Sequence, residues 1–236
     1  MYVARPSLIA KHYTFENYVD LFTKTEFPRA LLNSLMIAFL TTVCCLLISI
    51  LGSYAMTRLK YPGRRFFKTS IIFSYLIPTA VLFVPMYVFV SKLGFYDNKW
   101  ALLIIYPTTV VPYCCYMLMS YFKAIPYALE EAALIDGCTR MKSLRYIITP
   151  IALPGIAVVA TFAFTMSWNE YLYAMIMTTS PAQQTAVVAI SSFKYADSAI
   201  WGRIMAASVL TSLPVTIIYI VAQAQLISGK SDGSVK

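Results

Sequence analysis

Leu102 to Tyr121 reads LLIIYPTTVVPYCCYMLMSY, twenty residues without a formal charge on any side. A helix rises about 1.5 Å per residue, so this stretch covers about 30 Å, the thickness of a bilayer's hydrocarbon core. Ile71 to Val90, IIFSYLIPTAVLFVPMYVFV, is equally uncharged. A helix in a soluble core needs a charged outer face, and neither stretch has one. Working outward, residues 30–57, 70–92, 101–122, 148–177 and 204–227 each supply enough apolar chain to cross a membrane. The expected fold is therefore all-α, a polytopic membrane protein with five transmembrane helices. Composition agrees, since 59% of the 236 residues are hydrophobic and only 12% charged, with the charges falling between the apolar stretches.

The net charge of +9 does not imply nucleic acid, because the basic residues sit in short loops beside apolar spans. The densest group, Arg58, Lys60, Arg64, Arg65 and Lys68, contains no acidic neighbour and places the loop between the first two spans in the cytoplasm. Alternation then sets 93–100 and 178–203 outside, and 123–147 and the tail from 228 inside. Eleven of the nineteen Lys and Arg fall inside and eight outside, a modest bias. Residues 1–29, with Arg5, Lys11, Lys24 and Arg29, are left outside and are too polar for a signal peptide. A further span upstream of Met1 would explain how they crossed. The domain reading is thus an extracytoplasmic or interfacial segment over 1–29, a transmembrane domain over 30–227, and a cytoplasmic tail over 228–236.

Catalytic and metal chemistry find little support. Cys44-Cys45, Cys114-Cys115 and Cys138 read as small apolar residues instead of a disulfide framework or metal site, since neighbouring helical cysteines point about 100° apart. His12 is the only histidine. The tail's Gly229-Lys230-Ser231 resembles a fragment of a phosphate-binding loop, but Ala224 stands where its first glycine belongs, so this chain is not expected to hydrolyse ATP. Prolines at 78, 85, 107, 112, 154 and 214 predict bent spans. Ala206, Ala207 and Ser208 form a small-residue patch suited to close helix packing.

The loop over 123–149 carries helix punctuation at both ends. Pro126 suits a first turn, Glu130 and Glu131 lie near the positive end of a helix dipole, and Gly137 is a natural stop, predicting a short helix over 126–136. Thr139 can cap a second helix, with Met141, Leu144 and Ile148 on one face and Arg140, Lys142 and Arg145 on the other. On the first helix Leu129, Ala132, Ala133 and Asp136 make an apolar face of low relief on which a partner could pack, with Glu131 offset to meet a basic residue. A helix lying on lipid is the alternative, but it would carry bulkier apolar and more basic residues.

Glu131-Ala132-Ala133, three residues, Gly137, nine residues and Ile147 resemble the signature loop of the permeases of binding-protein-dependent ABC importers. Thr149-Pro150 stands where Leu-Pro is usual, and Leu153-Pro154-Gly155 supplies a second proline. The carbohydrate branch, and within it the second permease of maltose-type importers, is resembled by Asn33-Ser34, Tyr61-Pro62-Gly63-Arg64, Leu93-Gly94, Trp168-Asn169-Glu170, Trp201-Gly202 with Ala206-Ala207, and the tail from Gly229 to Val235-Lys236. The resemblance implies six spans, the first absent here, and an elbow acting as the coupling helix in a cleft of an ATPase subunit. It assigns that role to Glu131, Ala132, Ala133, Asp136 and Gly137. It implies a multi-pass protein of the bacterial cytoplasmic (inner) membrane, working with a second permease subunit, an ABC ATPase dimer and an extracytoplasmic solute-binding protein. No cofactor is expected on this chain, ATP being used by the ATPase, and no catalytic residue or metal ligand.

Glu170 is the only carboxylate well inside an expected span, which makes Trp168, Asn169 and Glu170 candidates for the solute path or its outer gate. Counted from Ile151, Glu170 lies about 28 Å along its helix, so an interfacial anchor, with Trp168 in the aromatic belt, is the competing reading. A secondary transporter would want several ionisable groups near the midplane. Amino acids, polyamines or phosphate esters remain alternatives to sugar as cargo.

Overall fold

The computed structural model of the chain describes residues 14–193 and 201–231. Arg5, Lys11, His12 and Val235-Lys236 lie outside the described residues. Twelve α-helices follow one another among the described residues. They are α1 (Glu16–Thr23), α2 (Phe27–Arg58), α3 (Arg64–Leu76), α4 (Thr79–Lys92), α5 (Ala101–Ala124), α6 (Tyr127–Ile135), α7 (Arg140–Ser143), α8 (Thr149–Ile151), α9 (Leu153–Asn169), α10 (Leu172–Met177), α11 (Ala186–Ser192) and α12 (Trp201–Ser231). A single π-helical stretch, Leu144–Ile148, joins α7 to α8. Among the described residues three unbroken helices, α2, α5 and α12, are long and apolar enough to cross a membrane, and counting each of two bent pairs as one span gives up to five.

The bent pairs depart from the expected straight spans. Residues 70–92 are not one helix, because α3 and α4 meet at 99°. Pro78 forces Ile77 into extended backbone at φ −72° and ψ 122°, which ends α3. The span expected over 148–177 is likewise divided: the run Arg140–Ile151 meets α9 at 82°. Ala152 sits at ψ 0° in the corner and Pro154 opens α9, where its missing N–H costs nothing. Extended backbone at Glu170 then separates α9 from α10. Pro85, Pro107, Pro112 and Pro214 instead lie inside helices that continue through them.

The core is α2 packed between α5 and α9. One face of α2 carries Ala38, Thr41, Thr42, Cys45, Ser49 and Ser53, all buried and all small, at three- and four-residue spacing. Small side chains let backbones close up, and Ser53 Oγ donates to the Cys115 carbonyl of α5 at 3.0 Å. Cys45, Cys114 and Cys115 are buried free thiols within this seam, whereas Cys44 faces outward. Gly155 brings α9 against α5, a Cβ there falling 2.4 Å from the Tyr121 ring. The helix α12 packs on α9 and on α1, with Arg203 pairing Asp20 at 2.7 Å.

At the end of the bundle away from α6, the start of α2 is tied to two loops. Asn33 Nδ2 donates to the carbonyls of Ala182 (3.1 Å) and Gln184 (3.0 Å), while its oxygen accepts from Lys99 Nζ at 2.8 Å. Asp97 accepts from the Ser180 backbone N–H at 2.8 Å and from its hydroxyl. By contrast α3 contributes no buried residue and α4 only Val90. Many of their apolar side chains, such as Phe66, Phe73, Leu76, Val81 and Val84, face outward, as suits lipid or another subunit.

Candidate functional site

The elbow is built by local chemistry. Pro126 at φ −58° and ψ 136° turns the chain into α6. At the other end Gly137 takes φ +85°, open to glycine at no steric cost. Cys138 N–H donates to Ala133 O at 2.9 Å and Gly137 N–H to Leu134 O at 3.2 Å, the paired bonds of a Schellman stop. Nothing lies within 4 Å of a Cβ placed on Gly137, so the backbone angle and not space demands glycine there. Thr139 then caps α7 by accepting from Lys142 N–H at 3.3 Å.

A buried charged node joins this elbow to the bundle. Glu130 is 4% exposed. Its carboxylate accepts from the Tyr54 hydroxyl at 2.5 Å and lies 3.8 Å from Arg58 Nε and 3.6 Å from Arg140 Nη1. The Arg58 side chain is fully buried, and Nη2 donates to the Phe122 and Ile125 carbonyls at 2.5 and 2.6 Å. Those carbonyls belong to the end of α5, where a helix has no partners of its own and favours positive charge. The Arg58 guanidinium also stacks 4.1 Å from the Tyr127 ring, and Tyr127 donates to Thr57 O at 2.7 Å. One arginine thus holds together the ends of α2, α5 and α6. Arg64 caps α2 itself, donating to the carbonyls of Met56, Thr57 and Leu59. Between these groups lies a cleft of about 950 Å³ lined by Arg58, Lys60, Arg64, Glu130, Glu131 and Arg140, among others.

Of the residues singled out on the elbow, Glu131, Ala132, Asp136 and Gly137 are exposed together. Ala133 is not with them. It turns inward on the same face as Glu130, three residues away, where the pull of Arg58 and Tyr54 sets the rotation of α6. Ile135, 85% exposed, takes a place in the outward surface instead, beside Leu129. The second helix departs similarly: Leu144 and Ile148 are buried, but Met141 points outward with Arg140, Lys142 and Arg145. The π turn over Leu144–Ile148 shifts the register that an unbroken α-helix would have kept.

At the far end, Trp168 is buried between helices. It is 2% exposed, packed with Ala38 and Phe164, and its indole N–H donates to Thr211 O at 3.2 Å, pinning α9 to α12. Glu170 accepts the backbone N–H groups of Tyr173 (3.0 Å) and Ala174 (3.1 Å), capping α10 across the break. Asn169 is exposed between two concavities. One, of about 410 Å³, is lined by Thr79, Tyr106, Thr109, Thr165, Ser167 and Glu170 among others. The second, of about 420 Å³, follows Ser208, Ser212 and Thr216 along α12. Both include Asn169, so the two concavities adjoin at that residue, their walls mixing these hydroxyls with apolar side chains such as Val110, Met166, Ile190 and Val215.

In the sequence Glu130 reads only as a charge near a dipole, and neither Arg58 nor Tyr54 carries a local sign of a site. The available signal was Glu130 spaced three residues from Ala133 with the last arginine of the first span upstream, a pairing that only the tertiary fold reveals.

Residues 46–230 match the family described as the binding-protein-dependent transport system inner membrane component. The chain is 36% identical over 233 residues to the inner membrane ABC transporter permease protein YcjP of Escherichia coli (strain K12), covering 98% of this chain and 83% of that one. It is 34% identical over 232 residues to the trehalose/maltose transport system permease protein MalG of Thermococcus litoralis, covering 97% and 84%. It superposes with a TM-score of 0.81, at 22% identity, on a chain of a bacterial ABC transporter involved in the import of the acidic polysaccharide alginate, covering 94% of this chain and 83% of that one.

Proposed function

The chain belongs to the family of binding-protein-dependent transport system inner membrane components, and from that premise we propose that it carries a sugar through the membrane and transmits the movement of an ATPase through its elbow. It is a permease subunit of an ABC importer in the inner membrane, not an enzyme. Permeases of this kind work with ATPase subunits, and the ATP is used there. The finer assembly is part of the proposal: two ATPases, a second permease and an extracytoplasmic solute-binding protein.

The observation that carries the reading is the elbow's division of labour. Its inner face is fastened to the bundle by Glu130 and Ala133, while its outer face presents Glu131, Ala132, Asp136 and bare Ile135. A lipid-lying helix would not expose acidic groups beside its largest apolar one. Glu131 is the contact for a basic residue of the ATPase, Ala132 permits close approach, and Asp136 is a lesser polar contact. Gly137 and Ala133 act indirectly, by setting the turn and the rotation. When ATP closes the ATPase pair, the docked elbows move and the two permeases rock between outward and inward openings.

Sugar as cargo is supported by the relative named for trehalose and maltose and by the hydroxyls of the two concavities that adjoin at Asn169. Trp168 supports these walls from behind, and Glu170 and Asn169 belong to the outer gate. The test is Glu131→Lys in the assembled transporter. Membrane insertion should be retained, while uptake is abolished and the ATPase dissociates more readily on purification. Full uptake in that variant refutes docking through this face.

A further inference from the structure

The 410 Å³ concavity bounded by α4, α5 and the end of α9 presents an unusual balance of hydrogen-bonding groups. Three of its hydroxyls have spent their protons on helix carbonyls: Thr109 on Tyr106 O (3.0 Å), Thr165 on Thr161 O (2.7 Å) and Ser167 on Ala163 O (2.8 Å). What remains on each is oxygen lone pairs. Glu170 adds acceptor capacity, since each of its oxygens takes one backbone N–H and keeps another lone pair. Tyr106 lines the same space, is 1% exposed, and sets its hydroxyl beside the Glu170 carboxylate, short of a well-formed hydrogen bond. A buried hydroxyl is ordinarily satisfied, and Glu170 is the acceptor within its reach.

We propose that this concavity is a binding station, within this subunit, for a neutral polyhydroxylated solute. The proposal rests on the reading of the chain as a sugar importer's permease and narrows it. A sugar brings many O–H donors to these acceptors, while Tyr106 stands behind Glu170 and holds its carboxylate in place. The volume suits a sugar, small-molecule sites running from about 300 to 1,000 Å³. An anionic solute would meet the Glu170 carboxylate, and like charges repel. Asn169 at the rim hands the solute on to the second concavity along α12.

The experiment has two stages. The solute-binding protein of the assembled transporter is first screened with maltose, trehalose, glucose 6-phosphate and glutamine, and the complete complex is tested for import in proteoliposomes. Import of maltose or trehalose is expected, whereas import confined to glucose 6-phosphate or glutamine, or absent with all four, overturns both the sugar reading and the station. With the imported sugar, the number of molecules carried per ATP hydrolysed is then measured for Tyr106→Phe and Thr165→Val. Each is expected to lower that ratio by about tenfold, the worth of one good buried hydrogen bond. A change that merely weakened the fold would lower uptake and hydrolysis together. Thr108→Val, whose hydroxyl is bonded to Ile105 O outside the concavity, should leave the ratio unchanged. Wild-type ratios in both Tyr106→Phe and Thr165→Val, in a complex that does import sugar, overturn the station alone.

Discussion

Glu130 and Glu131 are adjacent and chemically identical, yet removing them should have very different consequences. Glu130→Ala takes the counter-charge from Arg58, whose side chain is fully buried. Breaking a buried pair from one side costs about 3–5 kcal/mol, because the remaining charge stays desolvated and uncompensated. The Tyr54 hydroxyl loses its acceptor at the same time. Glu131 is exposed and makes no ion pair among the described residues, so Glu131→Ala should stay within about 0.5 kcal/mol. At about 2–4 °C per kcal/mol for a chain of this size, the first variant should melt roughly 6–20 °C lower and the second within about 2 °C of wild type. The assay is thermal unfolding of the detergent-purified subunit followed by tryptophan fluorescence. Adding Arg58→Met to Glu130→Ala should recover part of the loss but not all, since Arg58 also serves the Phe122 and Ile125 carbonyls. Equal melting of the two single alanine variants would refute the node.

The loop clip and the helix crossing supply two more tests. Hydrogen bonds from the Ser180 side chain and backbone hold the Asp97 carboxyl below the usual carboxylate range. Its folded pKa being the lower one, the clip is at full strength above about pH 4 and is lost as pH falls through the folded value. Asp97→Asn, which keeps a residue tolerant of the left-handed φ of 48° there, should melt below wild type at neutral pH and converge with it in acid. A gap unchanged into strong acid would count against the clip. Gly155→Ala drives a Cβ to 2.4 Å from the Tyr121 ring and should destabilise by about 1–3 kcal/mol, with Tyr121→Ala relieving the clash in the double variant. A Gly155→Ala chain that melts like wild type would show that the α5–α9 contact yields freely.

What could be read from the sequence depended on how local its cause was. Charge-free runs of twenty residues identify membrane helices because lipid tolerates little else, and the caps at Gly137 and Thr139 follow from backbone chemistry within a few residues. The break at Pro78 was announced by proline, but its 99° angle was not, and four other prolines are absorbed within continuous helices. Helical periodicity proposed an elbow face containing Ala133, whereas a partner 72 positions upstream, Arg58, decides which way α6 is turned. The same limit applies to Trp168: its position along the helix says nothing of its partners, which are Ala38 on α2 and Thr211 on α12. Long-range pairing is the information that a single sequence withholds.

The geometry also explains how a push on the elbow could reach a site at the opposite end of the bundle. In the proposed coupling, a force on α6 would divide. Through Glu130 and Arg58 it reaches the ends of α2 and α5 together, because one guanidinium bonds carbonyls of α5 while belonging to α2. Along the chain it passes α7, the π turn and α8, and turns the corner at Ala152 into α9. From Leu153 to Thr165 the helix runs about 18 Å, so a tilt of about 5° about the corner moves Thr165 by about 1.5 Å. That is half a hydrogen bond's length, enough to break or make the contacts offered by Thr165, Ser167 and Asn169. The opposite wall, Tyr106 on α5, is moved by the other branch. A solute held between the two walls is therefore gripped or released by the difference between two arms of one lever, which requires the node at Glu130 to be stiff.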